Sequence, residues 1–254
     1  MPFGGLFKRR KHHTTDGKRV YAIGDVHGCY DLLVDLLQRV EEDHAERPPC
    51  DTHLVMLGDY VDRAWQSREV CELLYSMRDL DKVHCLKGNH EAMMLDALDG
   101  DVRALRFWMD YGGEATLRSW GMTSGMIDAA HVDAGAAVEL IEAAREAIPQ
   151  EILNWMRALP VSVSFGSYLF VHAGIRPGMP IDAQRERDMM WIRTTFLKHR
   201  GDHPMMIVHG HAEGKEPALL SNRIGIDTAA HSSGILTAVG VEEDRQWIIQ
   251  SGQQ

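Results

Sequence analysis

Five short segments carry most of the residues able to do chemistry. They are Gly24-Asp25-Val26-His27-Gly28, Gly58-Asp59-Tyr60-Val61-Asp62-Arg63, Gly88-Asn89-His90-Glu91, His172-Ala173-Gly174 and His209-Gly210-His211. Together they offer carboxylates, imidazoles and an amide, and no thiol. Crowded carboxylates repel, and some must protonate unless cations offset them. Oxygen and imidazole donors without sulfur suit manganese, iron or zinc. Two cations sharing one carboxylate is the economical arrangement for this many ligands, and such a pair supports hydrolysis by an activated water. A single cluster reads more simply as a capping aspartate or a loop histidine. Five of them, each directly behind an apolar run, do not.

The apolar runs are the elements that must deliver these groups. Runs at 20–23, 54–57 and 83–86 are followed by Gly24, Gly58 and, one residue later, Gly88. Between them Leu32, Leu33, Leu36, Leu37 and Val40, then Val70, Leu73, Leu74 and Met77, follow helical spacing. The order is β-α-β-α-β, which implies parallel strands with helical crossovers. Asp25, Asp59 and Asn89 lie 34 and 30 residues apart, about one such unit each. Parallel strands align their carboxyl ends along one edge, where open α/β sheets bind ligands.

From about 92 to 160 the texture turns helical. Met93, Met94, Leu95 and Leu98 suggest one helix. Leu105, Phe107, Trp108 and Met109 suggest another, closed by Tyr111-Gly112-Gly113. The Met and Trp residues here read as core of a helical insertion. Strands return at 161–165, 168–171, 205–208, 224–226, 235–239 and 246–249, with a hairpin predicted at Gly166-Ser167. The expected organisation is a basic tail over 1–18 and one α/β domain over 19–254, interrupted by helices at about 92–160.

Lys and Arg number 27 against 37 Asp and Glu, for a net charge of −10. Six basic residues stand among the first 20 against Asp16 alone, so the body is more acidic still. An acidic body argues against stable nucleic-acid binding, and the basic run at 8–13 reads as a solvated tail. No stretch approaches the roughly 18 apolar residues of a membrane span, and no apolar run follows the basic start as in a signal peptide. Cys29, Cys50, Cys71 and Cys85 lack C-x-x-C spacing. A cytoplasmic setting with free thiols is therefore expected. The segment 210–216 has too few residues between its glycines for a P-loop and ends in Glu216 rather than Ser or Thr.

The five segments resemble the signatures of the phosphoprotein phosphatase family of metallophosphoesterases: GDVHG at 24–28, GDYVDR at 58–63, GNHE at 88–91, HAG at 172–174 and GHA at 210–212. They occur in the family's order. The bacterial and phage branch is most alike, with its helical insertion after GNHE and a W-x-R segment like Trp191-Ile192-Arg193. The resemblance implies a calcineurin-like fold, in which two mixed β-sheets pack as a sandwich flanked by helices. It implies that Asp25 and His27 hold a first metal, Asp59 bridges, and Asn89, His172 and His211 hold a second. His211 is preferred to His209 because the family's ligand follows Gly. Arg63, Arg193 and Asn89 would bind the phosphate, the arginine forks matching its oxygens. His90 would protonate the leaving alkoxide, oriented by Asp62.

The cofactors implied are two divalent cations, manganese foremost with iron or zinc as alternatives, sharing a water acidified enough to attack phosphorus. The substrate implied is a phosphoprotein or phosphopeptide, dephosphorylated at serine or threonine, with phosphotyrosine also open. The alternative is symmetrical diadenosine tetraphosphate hydrolysis. That group shares GDVHGCY, present at 24–30, but usually lacks the VDR continuation and ends its third motif in Asp. Ala64 follows Arg63 where the family carries Gly, so the turn is expected to differ. Lys87 reads as a third phosphate contact or a solvated lysine. Glu91 and Asp227 read as supporting groups or surface carboxylates, and His209 as a supporting or solvent-facing ring. The insertion, directly behind GNHE, is expected to wall the site and select substrates.

Overall fold

A computed structural model describes residues 12–252 of the chain. The first half delivers β1 (Lys18–Ile23), α1 (Tyr30–Ala45), β2 (Asp51–Met56), α2 (Ser67–Ser76) and β3 (Val83–Cys85). β1 pairs in parallel with β2, and β2 with β3, as the crossover spacing predicts. A helical block follows: α3 (Asn89–Leu98), α4 (Val102–Trp108), α5 (Glu114–Ser119), α6 (Ser124–Val132), α7 (Ala134–Ala147) and α8 (Gln150–Ala158). The chain then lays down β4 (Ser162–Phe165), β5 (Tyr168–Val171), short helices α9 (Glu186–Trp191) and α10 (Thr194–Leu197), β6 (Met206–His209), β7 (Ala218–Leu219) and β8 (Arg223–Gly225). After α11 (Ala230–Ser233) it returns with β9 (Thr237–Glu242) and β10 (Arg245–Gln250).

Two five-stranded sheets result, ordered β10-β9-β1-β2-β3 and β4-β5-β6-β8-β7. Both are mixed: β9 runs antiparallel to β1, and β4 antiparallel to β5 across the Gly166-Ser167 turn. Alternation along the strands explains the layering. Val20, Ala22, Val55 and Leu57 face Phe170, Val208 and Ile224 of the other sheet, forming the sandwich core. Tyr21, Ile23 and Met56 point the opposite way, onto Leu33, Leu36 and Val40 of α1 and Val70 and Leu74 of α2. Leu169, Val171 and Ile207 do the same on the second sheet, under Met189, Ile192 and Phe196. Both faces of each sheet are covered, so β5 and β6 are buried at every position.

The insertion has a core of its own, in which Met94, Leu98, Leu105, Trp108, Leu117, Leu140 and Ile141 pack together with Val61 and Cys71. Its first helix begins earlier than its apolar stripe indicates. Gly88 caps α3 in an extended conformation, and the Glu91 carboxylate at the third helical position accepts the Gly88 amide at 2.9 Å. Asn89 and His90 therefore sit in the first turn of a helix. The two-residue β7 was not predicted. It is exposed at both positions and carries no periodic signal. The basic run at 8–11 lies outside the described residues. Just after it, Thr15 is buried, and Thr14 accepts the Ser167 amide at 2.9 Å. Among the described residues no helix is long and apolar enough to cross a membrane.

One polar cluster ties α1 to β10. Asp43 accepts from Tyr21 Oη at 2.5 Å, from Trp247 Nε1 at 3.0 Å and from Arg47 at 2.7 and 2.8 Å. Burial opposes its charge, but these donors hold its carboxyl below the usual carboxylate range. A depressed pKa contributes stability above the unfolded-state value of about 3.9 and loses it as pH falls through the folded value. Asp43→Asn is therefore expected to lower the unfolding free energy measured in urea at pH 7 by about 1 kcal/mol, for a solvent-screened cluster. The gap to the parent should close below about pH 4, and a gap that persists in acid would assign the loss to packing.

Candidate active site

Six parallel strand ends meet at one edge of the sandwich. β1 runs into Asp25 and His27, β2 into Asp59, Asp62 and Arg63, and β3 into Asn89 and His90. From the other sheet β5 runs into His172, β6 into His211 and β8 into Asp227. The two edges are stitched together: the His211 amide reaches both Asp25 oxygens at 3.1 Å, and His172 Nδ1 reaches the Leu57 carbonyl at 3.0 Å.

The backbone there is strained. Among the described residues eight non-glycines have positive φ, and five are His27, Asp59, Asp62, Arg63 and His211. Each such residue costs on the order of 1–3 kcal/mol and persists only where its surroundings fix it. Here the Val26 and His27 amides both donate to the Asp59 carbonyl, at 3.1 and 2.9 Å. Glu91 Oε2 accepts the Asp59 amide at 2.9 Å, and Oε1 the Tyr60 amide at 2.7 Å. Ala64 is not among the positive-φ residues. The turn places its left-handed residues at Asp62 and Arg63, so alanine at 64 is accommodated. Gly88 and Gly210 are required for space, because a Cβ at either would run into the Asp59 or the Asp25 carboxylate.

Asp59 is the centre. Its Oδ2 lies 3.3 Å from His172 Nε2, 3.7 Å from His27 Nε2 and 3.9 Å from His90 Nε2. Its Oδ1 accepts the His90 amide at 3.0 Å. Ligand-capable atoms converge in two trios that share it: His27, Asp59 and His90, and Asp59, His172 and His211. Asn89 Oδ1 is 2.9 Å from His172 Nε2. Asp25 is buried beside the His211 amide, and its carboxylate belongs to neither trio.

The tautomers of two rings follow from their partners. His27 Nδ1 faces the Val61 carbonyl at 2.8 Å and His172 Nδ1 the Leu57 carbonyl. A carbonyl only accepts, so both Nδ1 atoms carry hydrogen, and in the neutral rings both Nε2 lone pairs point at Asp59. Outer carbonyls hold metal-binding imidazoles in this way. Burial keeps His27 well below its ordinary pKa and, with the neighbouring His172, takes His211 down to about 3. Burial also raises Asp25 well above the carboxylate range, abetted by Asp227 and Asp59, and takes Asp227 up to about 6. Asp59 alone is held well below the range: burial opposes its charge, and His172, His90 and His27 overcome it. His27 and His211, kept neutral, with Asp25 and Asp227, whose charge lacks positive partners, give this edge a donor set that divalent cations complete.

His90 Nδ1 lies 2.6 Å from Asp62 Oδ2. Burial favours its neutral ring, but the Asp59 and Asp62 carboxylates outweigh this and raise its pKa. Asp62 is fully buried, and Trp108 Nε1 donates to its two oxygens at 3.0 and 2.9 Å while Thr116 Oγ1 donates at 2.6 Å. Arg63 flanks the His90 side, with Nη2 3.4 Å from His90 Nε2 and Nη1 bonded to Glu213 at 2.5 Å. Arg193 flanks the other side, donating to the His211 carbonyl at 2.8 Å and to its Nε2 at 3.3 Å.

The structure thus brings every residue singled out in the five segments, and Arg193, to one edge. Lys87 points elsewhere, its Nζ bonded to the Arg157 carbonyl at the end of α8. His209 is buried, with Nδ1 on the Gly210 carbonyl and its ring against Phe196, so the solvent-facing reading falls. Glu91 and Asp227 are likewise buried and not surface carboxylates. Sequence reasoning missed Trp108, Thr116 and Glu213. Trp108 was read as core, although a buried indole N–H requires an acceptor.

Residues 18–227 match the family described as calcineurin-like phosphoesterase. The chain belongs to that family. This calcineurin-like phosphoesterase is 27% identical over 242 residues to the asymmetrical bis(5'-nucleosyl)-tetraphosphatase PrpE of Anoxybacillus flavithermus, covering 87% of this chain and 89% of that protein. It is 27% identical over 229 residues to serine/threonine-protein phosphatase 2 of Salmonella typhimurium, covering 87% and 91%. The solved cold-active protein-tyrosine phosphatase of a psychrophilic Shewanella species shares its fold, with a TM-score of 0.58 at 21% identity over 93% of this chain and 80% of that one. The two-sheet sandwich expected from the motifs is the fold of this phosphoesterase.

Glu91 supports the whole second loop of the phosphoesterase by accepting backbone amides. Burial and the Asp59 charge raise its pKa to about 7, against those donors. Glu91→Gln would turn an NH₂ group onto N–H donors. It is expected to cost about 1–3 kcal/mol in urea unfolding and to weaken Mn²⁺ binding in calorimetric titration. Full cation affinity in the variant would show that Asp59 is held without it.

Proposed function

We propose that the protein is a metal-dependent phosphomonoesterase that removes phosphate from phosphoserine or phosphothreonine in proteins. The observation that carries this reading is the buried Asp62–His90 pair beside Arg63. An oriented proton donor is needed for an alkoxide, which leaves poorly without one. A nucleotide leaving from a polyphosphate has far less use for it. The likeness to the Salmonella phosphatase over most of both chains supports the same reading.

In this reading Asp25, His27 and Asp59 would hold one cation, although the Asp25 carboxylate lies outside the His27–Asp59–His90 trio, and Asp59, Asn89, His172 and His211 would hold the other, with manganese favoured over iron or zinc. Bound there, the cations would supply Lewis-acid activation of water and of the phosphoryl group. Arg63 and Arg193 grip the non-bridging oxygens as bidentate donors. Asn89, at the first turn of α3, adds a contact to the phosphate. His90 spends Nδ1 on Asp62 and turns its Nε2 proton toward the leaving oxygen. Each of these groups except the arginines is buried, which limits the bulk water around them.

The competing reading is hydrolysis of diadenosine tetraphosphate, favoured by the likeness to the Anoxybacillus enzyme over nearly its whole length. Phosphate release from a phosphoserine peptide, set beside turnover of diadenosine tetraphosphate with and without manganese, separates the two. The peptide is expected to be the better, metal-requiring substrate. Turnover of the dinucleotide alone would overturn the proposal, and its products distinguish symmetrical cleavage to two ADP from asymmetrical cleavage to ATP and AMP. His90→Asn is expected to slow peptide turnover about 10²–10⁴-fold with metal content unchanged. An unaltered rate would remove the acid role from His90.

A further inference from the structure

We propose that the helical insertion sets the catalytic acid, with Trp108 and Thr116 acting as positioning residues for the Asp62–His90 pair. The inference rests on the reading of His90 as the proton donor. Its basis is a convergence of polar contacts from one short stretch of the insertion onto residues 62 and 63. Trp108 Nε1 spans both carboxylate oxygens of Asp62. Thr116 Oγ1 donates to Oδ1 at 2.6 Å and accepts the Asp62 amide at 2.8 Å, so one hydroxyl clasps both ends of the residue. Ser67 Oγ accepts the same amide at 3.0 Å. One residue further on, the Gly112 carbonyl accepts the Arg63 amide at 3.2 Å.

This stretch is shaped for the contact. A kink at Met109–Gly113 separates α4 from α5, and Gly112 within it has the non-helical φ of 108°. Gly113 lies flat against the Trp108 ring, and a Cβ there would stand 2.6 Å from two ring carbons. The ring is fully buried, so the indole N–H has no solvent alternative to Asp62.

The physical consequence concerns orientation. The terminal torsion of an aspartate is soft, and Asp62 is held in a left-handed backbone conformation that it does not prefer. Without Trp108 and Thr116, its Oδ1 would lose every donor named here and Oδ2 would keep only His90. The carboxylate would then turn to share itself differently, and the His90 ring would lose its aim. Proton donation matters only for a leaving group that needs it. The insertion therefore governs activity on alkyl esters and not on activated aryl esters.

The test compares a phosphoserine peptide with p-nitrophenyl phosphate, whose phenolate leaves without a proton. Trp108→Phe keeps the ring and removes the N–H; Thr116→Val keeps the shape and removes the hydroxyl. Each is expected to slow the peptide about 10–100-fold, the range for residues supporting a reactive group, and p-nitrophenyl phosphate less than about 3-fold, with bound metal unchanged. Thr116→Ser should restore peptide turnover. His90→Asn should show the same split, larger. Equal losses on both substrates, or none, in Trp108→Phe and Thr116→Val would overturn the positioning role while a split in His90→Asn leaves the acid reading standing. Absence of a split in His90→Asn would take down both. Should Trp108→Phe fold poorly by circular dichroism, Thr116→Val carries the comparison. The low-field His90 Nδ1 proton resonance then gives a second readout: sharp in the parent, broadened by exchange in the variant. A resonance unchanged in the variant would overturn the role.

Discussion

Asp59 is buried at the seam between two sheets, where its neighbours favour the charged carboxylate. Most of the local architecture answers to that charge. Three imidazoles turn their Nε2 atoms to its Oδ2, and two of those rings are pinned from behind by backbone carbonyls. Gly88 lacks a side chain so that the carboxylate can approach β3. Glu91, itself buried, fastens the strained loop that carries Asp59. Low dielectric strengthens every one of these interactions and makes any unpaired member costly. Each member of the edge is thus fixed by a neighbour, as a site that must aim several groups at one phosphorus requires.

The fold and the centre of the site were legible in the sequence for the same reason. A strand buried on both faces reads as an apolar run, and the residues after its carboxyl end read as a polar cluster. That pattern placed β1, β2, β3, β5 and β6, and with them Asp25, Asp59, Asn89, His172 and His211. Family likeness supplied roles, and Arg193, which spacing alone does not attach to the edge. What stayed hidden was whatever depends on one atom of an otherwise apolar side chain. Trp108 keeps helical spacing with Leu105, and nothing in that spacing reveals that its N–H faces Asp62. Thr116 is a single hydroxyl in a helix, where such residues commonly bond to their own backbone. Lys87 sits beside the third motif in sequence, but its four-carbon stem carries its charge to α8.

The insertion has two relationships to the core that its sequence does not distinguish. It packs as a separate helical unit around Leu105, Leu117 and Leu140. It also reaches through the kink at Met109–Gly113 to the backbone and side chain of the second loop. A wall that merely excluded substrates would need only the first. Contacts at 2.6–3.0 Å to a fully buried carboxylate make the stretch at 108–116 continuous with the reacting edge.

The pairing of Arg63 with Glu213 has a consequence for which phosphates can be held. In the protein alone a carboxylate already occupies one arm of the guanidinium, so an incoming phosphate exchanges with an anion and does not simply join a bare cation. A ligand with one negative charge gains little by that exchange. A ligand with two charges on one phosphorus gains a stronger ion pair and can grip both arms. Glu213 thereby makes the holding of a phosphate at Arg63 an exchange of anions, a step that a half-exposed ion pair worth at most about 1 kcal/mol does not forbid.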